Sequence, residues 1–262
     1  MSARDVLPNS KAAIQQRMRI GRLARTAPFL MVGARLVLAL VAQGLVTVVF
    51  LLRRSPDPWS AAGPWWTVDG TLIDIGCLVL LSALTRREGI SLVDLFGVER
   101  HKLGRDVLLG LGLTLIDVAA GALAGTLTTL ALYGTPQPPR ALMGGLPIWA
   151  VVYSVLIWPV IWGVAEEMTC QSYALPRIEA LTGRACLAVL IVAVGFGLQH
   201  IALPAMADWR FMLWRFVPSL LLGLVHAALY LRIRRLLPFV IAHWAANAIS
   251  VLTLAVLPLL QR

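Results

Sequence analysis

The 262-residue chain is 59% hydrophobic and 14% charged, with a mean hydropathy of +0.80, whereas soluble domains run at about 45–50% apolar and roughly 25% charged. That balance excludes a soluble globular enzyme and predicts an all-α, polytopic integral membrane helical bundle, because runs of about 20 apolar residues, enough to cross a bilayer, recur along the chain. The net charge of +10 reads as the orientation signal of cytoplasmic loops; membrane lipid is an expected partner and nucleic acid is not.

In chain order, residues 1–27 form a basic cytoplasmic segment with six basic residues, Arg4, Lys11, Arg17, Arg19, Arg22 and Arg25, and no apolar stretch with a cleavage site of the kind a signal peptide has. Within it, residues 9–25 are expected either as a helix on anionic lipid, N-capped by Asn9 or Ser10, or as a solvated tail. About seven spans follow, near residues 29–52, 66–84, 106–132, 146–174, 185–203, 212–231 and 237–259. The first three, with a cytoplasmic loop at 86–105, make up residues 28–140, and the last four form a core at 141–262.

Asp69 and Asp74 interrupt the second span, but Trp65 and Trp66 flank it and Arg86 and Arg87 end it. Gly121 and Gly125 form a small-xxx-small pair suited to close helix packing. With the N-terminus cytoplasmic, sixteen of the 23 Lys and Arg residues fall on inside segments. Outside segments carry Arg53, Arg54, Arg140, Arg210, Arg215 and Arg262. Trp59, Trp65, Trp66, Trp149, Trp209 and Trp214 cluster at the outer boundary. Arg35, inside the first span, is expected to snorkel to the interface. The protein is therefore expected in a cytoplasmic membrane, of bacterial type. Cys77, Cys170 and Cys186 are odd in number, lack metal-type spacing and imply no disulfide framework.

An ionisable side chain inside a span costs roughly 2.5–3.5 kcal/mol on insertion scales, and these residues are unevenly spread. The last four spans hold Glu166, Glu167, His200, His226, His243 and Asn247; the first three hold Arg35, Asp74 and Asp117. Glu166 and Glu167, adjacent on a helix, point about 100° apart, and either end their span or serve a site. Glu166 and His200 each lie 17 residues from Gly183. In an antiparallel hairpin with its tip at 181–183, both stand about 25 Å from that tip and are level. His243 and Asn247, four apart, share one face, either as part of the same site or as a polar seam. His226 belongs with neither set and is expected to bond a neighbouring helix. Asp74 and Asp117 have no evident partner and would suit an ion path, the small-solute transporter reading. Cys170, one turn after Glu166, is read as a packing residue before a thiol nucleophile.

Read together, Glu166-Glu167, Phe196-x-x-x-His200 and His243-x-x-x-Asn247 resemble the CAAX prenyl protease and bacteriocin-processing (CPBP) family of intramembrane endopeptidases, over about residues 88–255. The resemblance implies that the 141–262 core is catalytic and cleaves a membrane-associated peptide or protein segment near the cytoplasmic face. Glu166 would be the general base acting on water, with His200 and His243 orienting that water or binding zinc or another divalent metal together with Glu166. Asn247 would stabilise the oxyanion, and Glu167 would support the others from behind. Two histidines and one acid suit a metalloprotease ligand set, and the same groups could activate water unaided. One position departs from the pattern: the family reads Glu-Glu-x-x-x-Arg, and here Gln171 stands in place of the arginine. An Arg holds a carboxylate by a charged fork where Gln offers only a neutral amide. The departure leaves room for a catalytically impaired member acting as a scaffold or immunity protein.

Overall fold

The computed structural model describes residues 8–137 and 143–255. Arg4, Arg140, Arg262 and the end of the seventh expected span, 256–259, lie outside the described residues. Helices dominate: α1 (Lys11–Arg19), α2 (Ala27–Leu52), α3 (Pro58–Ala62), α4 (Trp66–Glu88), α5 (Leu103–Tyr133), α6 (Ile148–Leu156), α7 (Trp158–Glu167), α8 (Leu175–Thr182), α9 (Ala185–Ile201), α10 (Trp209–Ile233) and α11 (Leu237–Ala255). Among the described residues the only β pairing is an isolated bridge between Ala202 and Ala205.

Five of these helical stretches are long and apolar enough to cross a membrane, or six if α6 and the run Trp158–Thr182, which meet at a 42° bend, count as one span. The remaining expected span, α9, has 17 residues, a little short of the roughly 20 that a full crossing needs. The fourth span is thus a broken helix. Pro159 sits in the first turn of α7 after the break at Ile157, where its missing N–H costs nothing. The chain then winds as a π-helix over Met168–Ala174 before α8 ends on Gly183, whose φ of 67° needs glycine. Pro176 cannot donate to the carbonyl one turn back, and Asn9 Nδ2 instead bonds the Ser172 carbonyl at 2.9 Å.

The run from α7 through α8 forms the centre of the bundle. Helix α7 packs on α4 and α11, α2 on α4 and α9, α9 on α10, and α5 on α10 and α11. Close approach depends on glycines in the central helices. A Cβ on Gly163 would lie 3.3 Å from the Trp244 backbone nitrogen, and one on Gly223 3.1 Å from Ala193 Cα. Gly163 thereby lets α11 sit against α7, one turn from the two acids. Gly121 and Gly125 do not play this part: nothing lies within 4 Å of a Cβ built on either. Trp66, expected near the outer boundary, is buried within the bundle. It turns into the core and meets Trp158 edge-on at 5.0 Å.

At the end of the bundle bearing the N-terminal segment, α1 begins at Ser10, whose side chain caps Ala13, and packs on α8. Its expected extent of 9–25 shortens to Lys11–Arg19. Arg177 is fully buried and grips Glu88 with a two-pronged pair at 2.8 and 2.7 Å, while Arg17 adds a bond to Glu88 at 3.2 Å. Arg177 also donates to Asn9 Oδ1 at 3.1 Å and stacks on Tyr173 at 4.1 Å. Glu88→Gln leaves two arginines facing a neutral amide. It is expected to lower stability by about 2–3 kcal/mol, seen as a reduced unfolding midpoint in detergent, whereas Lys11→Ala, whose side chain is largely exposed, should change it by less than about 0.5 kcal/mol.

Candidate active site

The two acids at the end of α7 are fully buried and, although adjacent helical positions point about 100° apart, both reach His243. Glu166 Oε2 accepts from Trp162 Nε1 at 2.9 Å and faces His243 Nε2 at 3.0 Å. Its Oε1 accepts from the Gln199 amide and lies 3.7 Å from Arg35 Nε. Glu167 Oε1 faces His243 Nδ1 at 2.8 Å and His226 Nδ1 at 3.1 Å. His226 Nε2 in turn meets Asp117 Oδ1 at 2.9 Å. One connected polar network therefore joins α5, α7, α9, α10 and α11.

His243 is the hinge of this network, with each ring nitrogen against a different carboxylate. Both contacts can be hydrogen bonds only if the ring carries two protons or one of the acids carries one. With both contacts made as hydrogen bonds, His243, Glu166 and Glu167 hold two protons between them. His200 differs: its Nδ1 lies 2.7 Å from the Phe196 carbonyl, so Nδ1 is the protonated nitrogen and Nε2 keeps a lone pair. It is half-buried and makes no hydrogen bond to either acid. Asn247, one turn beyond His243, is also half-buried, and its Nδ2 has no partner among the described residues.

Of the five residues singled out by the motifs, the fold thus joins Glu166, Glu167 and His243 directly. His200 and Asn247 keep unused groups nearby in sequence and helix position. The divalent ion fits poorly. Among the described residues no three His, Cys, Asp or Glu side chains are grouped to hold a metal. His243 has no lone pair to give while both its nitrogens face carboxylates, which leaves His200 Nε2 as the only free imidazole donor of the motif pair.

Other members of the network escaped the motifs. Arg35 does not snorkel: it is 1% exposed and bonds Asp74 Oδ1 at 3.0 Å and Gln199 Oε1 at 2.6 Å. Asp74 and Asp117, which looked unpartnered along the chain, are the counter-groups of Arg35 and His226. The signal available was charge accounting, since buried acids and buried bases in one membrane protein must find each other. Gln199 and Trp162 gave no such signal. Cys170 is buried near Arg35 and is not bonded to the acids. Gln171 is buried too, and neither of its amide atoms has a partner among the described residues.

No curated protein and no solved structure matches the chain. A family model does: residues 147–249, less than half of the chain, match the one described as Rce1-like, type II CAAX prenyl endopeptidase Rce1-like. The matched stretch runs from α6 into α11 and takes in Glu166, Glu167, His200, His243 and Asn247. Over this segment, the chain is similar to the CAAX-type family of membrane proteases.

Proposed function

We propose that the protein is an intramembrane endopeptidase in which Glu166 activates water against a peptide bond presented near the cytoplasmic face. The observation that carries this reading is the division of labour in the network. The two acids and His243 are mutually bonded and sealed, while His200 Nε2 and Asn247 Nδ2 remain as one free acceptor and one free donor. In the proposed step, His200 accepts a hydrogen bond from the water and orients it. Glu166 takes the water proton as the oxygen attacks the carbonyl carbon. Asn247 donates to the resulting oxyanion, and the proton on Glu166 passes to the departing amine as the C–N bond breaks. Glu167, braced by His226, holds His243 against Glu166. The substrate is a membrane-associated peptide or protein segment, the N-terminal segment lies in the cytoplasm, and no step runs through a metal, because the donor set does not suit one.

The test is cleavage of a lipid-anchored peptide library by the purified protein in proteoliposomes, read by mass spectrometry. New carboxyl termini should appear with wild-type protein and form about 10³-fold more slowly with Glu166→Gln. EDTA should leave the rate within about twofold of wild type, since an unaided carboxylate base loses nothing to a chelator; loss of rate restored by zinc would instead assign His200 to a metal.

A catalytically silent member acting as a scaffold or immunity protein is the second reading, favoured by the idle Gln171 amide. It predicts no cleavage by wild type in the same assay.

A further inference from the structure

We propose that Arg35, on the first long helix and far outside the segment that matches the family, is a positioning residue that brings to Glu166 the guanidinium absent at position 171. The inference rests on the reading of Glu166 as the base.

A buried arginine costs several kcal/mol unless charge and hydrogen bonds compensate it, and Arg35 is compensated in a particular way. Asp74 Oδ1, at 3.0 Å from Nη1, neutralises it. Its Nε donates to Gln199 Oε1 at 2.6 Å. Because a guanidinium cannot accept, this bond decides which end of the Gln199 amide faces it, and the NH2 end is left to donate to Glu166 Oε1. The face of the guanidinium lies 4.3 Å from the Trp162 ring. The Nε1 of that indole donates to Glu166 Oε2 at 2.9 Å. Arg35 therefore orients the donors on both oxygens of Glu166, and its own Nε stands 3.7 Å from Oε1.

Position 171 contributes nothing comparable, since the Gln171 amide is sealed in the bundle with neither atom partnered among the described residues. The positive charge that the family pattern places on the same helix as the acids is here supplied across the bundle, from α2. The Asp74 carboxylate then acts as the anchor that holds the fork in place, which gives this otherwise unexplained intramembrane acid a role.

The test compares Arg35→Gln, Arg35→Lys and Glu166→Gln in the proteoliposome cleavage assay, with detergent unfolding as a check on folding. Arg35→Gln should lower kcat about a hundredfold while KM stays within about twofold, because the substrate is not touched. Arg35→Lys, which keeps the charge but not the fork, should recover part of that loss, to within about tenfold of wild type. Adding Arg35→Gln to Glu166→Gln should cost nothing further, since the group being positioned is already disabled. A wild-type kcat for folded Arg35→Gln overturns the proposal, as does a full additional hundredfold loss in the double variant. If Arg35→Gln does not fold, Arg35→Lys decides: a kcat reduced with KM unchanged supports the proposal and a wild-type kcat overturns it. An active Glu166→Gln would overturn the base assignment itself, an outcome separate from any result at Arg35.

Discussion

Glu166→Gln is expected to lower the cleavage rate by about 10³-fold with little change in KM, the loss typical of removing a positioned general base. The amide keeps the shape of the side chain and can still accept from Trp162 and face His243, so the bundle should remain folded, but it cannot take a proton from water. Glu167→Gln should cost far less, about tenfold. The oxygen of the new amide can still accept from one of the two imidazoles that Glu167 Oε1 now faces, and the proposed reaction does not ask this residue to exchange a proton with water. Asn247→Ala should fall between them, at about 10²-fold, as expected for one lost donor to a developing oxyanion. Rates measured in proteoliposomes for the three variants, each checked for folding, give the order. If Glu167→Gln proves the more damaging of the two acid variants, the roles of the pair are reversed.

Removing His226 should have the largest effect on stability. Its two nitrogens face Glu167 Oε1 and Asp117 Oδ1 in a fully buried setting. His226→Phe fills the space but strands Asp117 and takes from Glu167 one of its two imidazoles, a change expected to cost about 3–5 kcal/mol, the usual consequence of taking one partner from a buried charged group. Adding Asp117→Leu removes the stranded acid and should restore more than half of the loss, so the two substitutions combine to less than their sum. Unfolding in detergent measures both effects. Strict additivity would mean that His226 and Asp117 do not depend on each other, against the 2.9 Å contact between them.

The sequence read alone carried the membrane class and nearly every helix, because about 20 consecutive apolar residues broken by Arg, Gly and Pro leave few alternatives in a bilayer. It also placed the three motifs on three separate spans, and helical spacing alone put His243 and Asn247 on one face. Position along the chain does not decide partners. The level of Glu166 with His200 came from counting residues back to Gly183 at a constant rise, whereas the π-helical turn at Met168–Ala174 breaks that regularity. The bonded partner on α9 is Gln199, next to the expected histidine.

Arg35 shows the same limit from the other side. From one helix, a lone arginine in an apolar run has two outcomes, an escape to the interface or a buried anion, and no local pattern separates them. Only the packing of α2 between α4 and α9 brings Asp74 and Gln199 within its reach. Local composition and periodicity thus determined which segments are helical and which costly side chains they carry. Which of those side chains meet was decided by glycine-permitted helix contacts and by the demand that every buried charge find a counter-charge, both of which exist only once the helices are assembled.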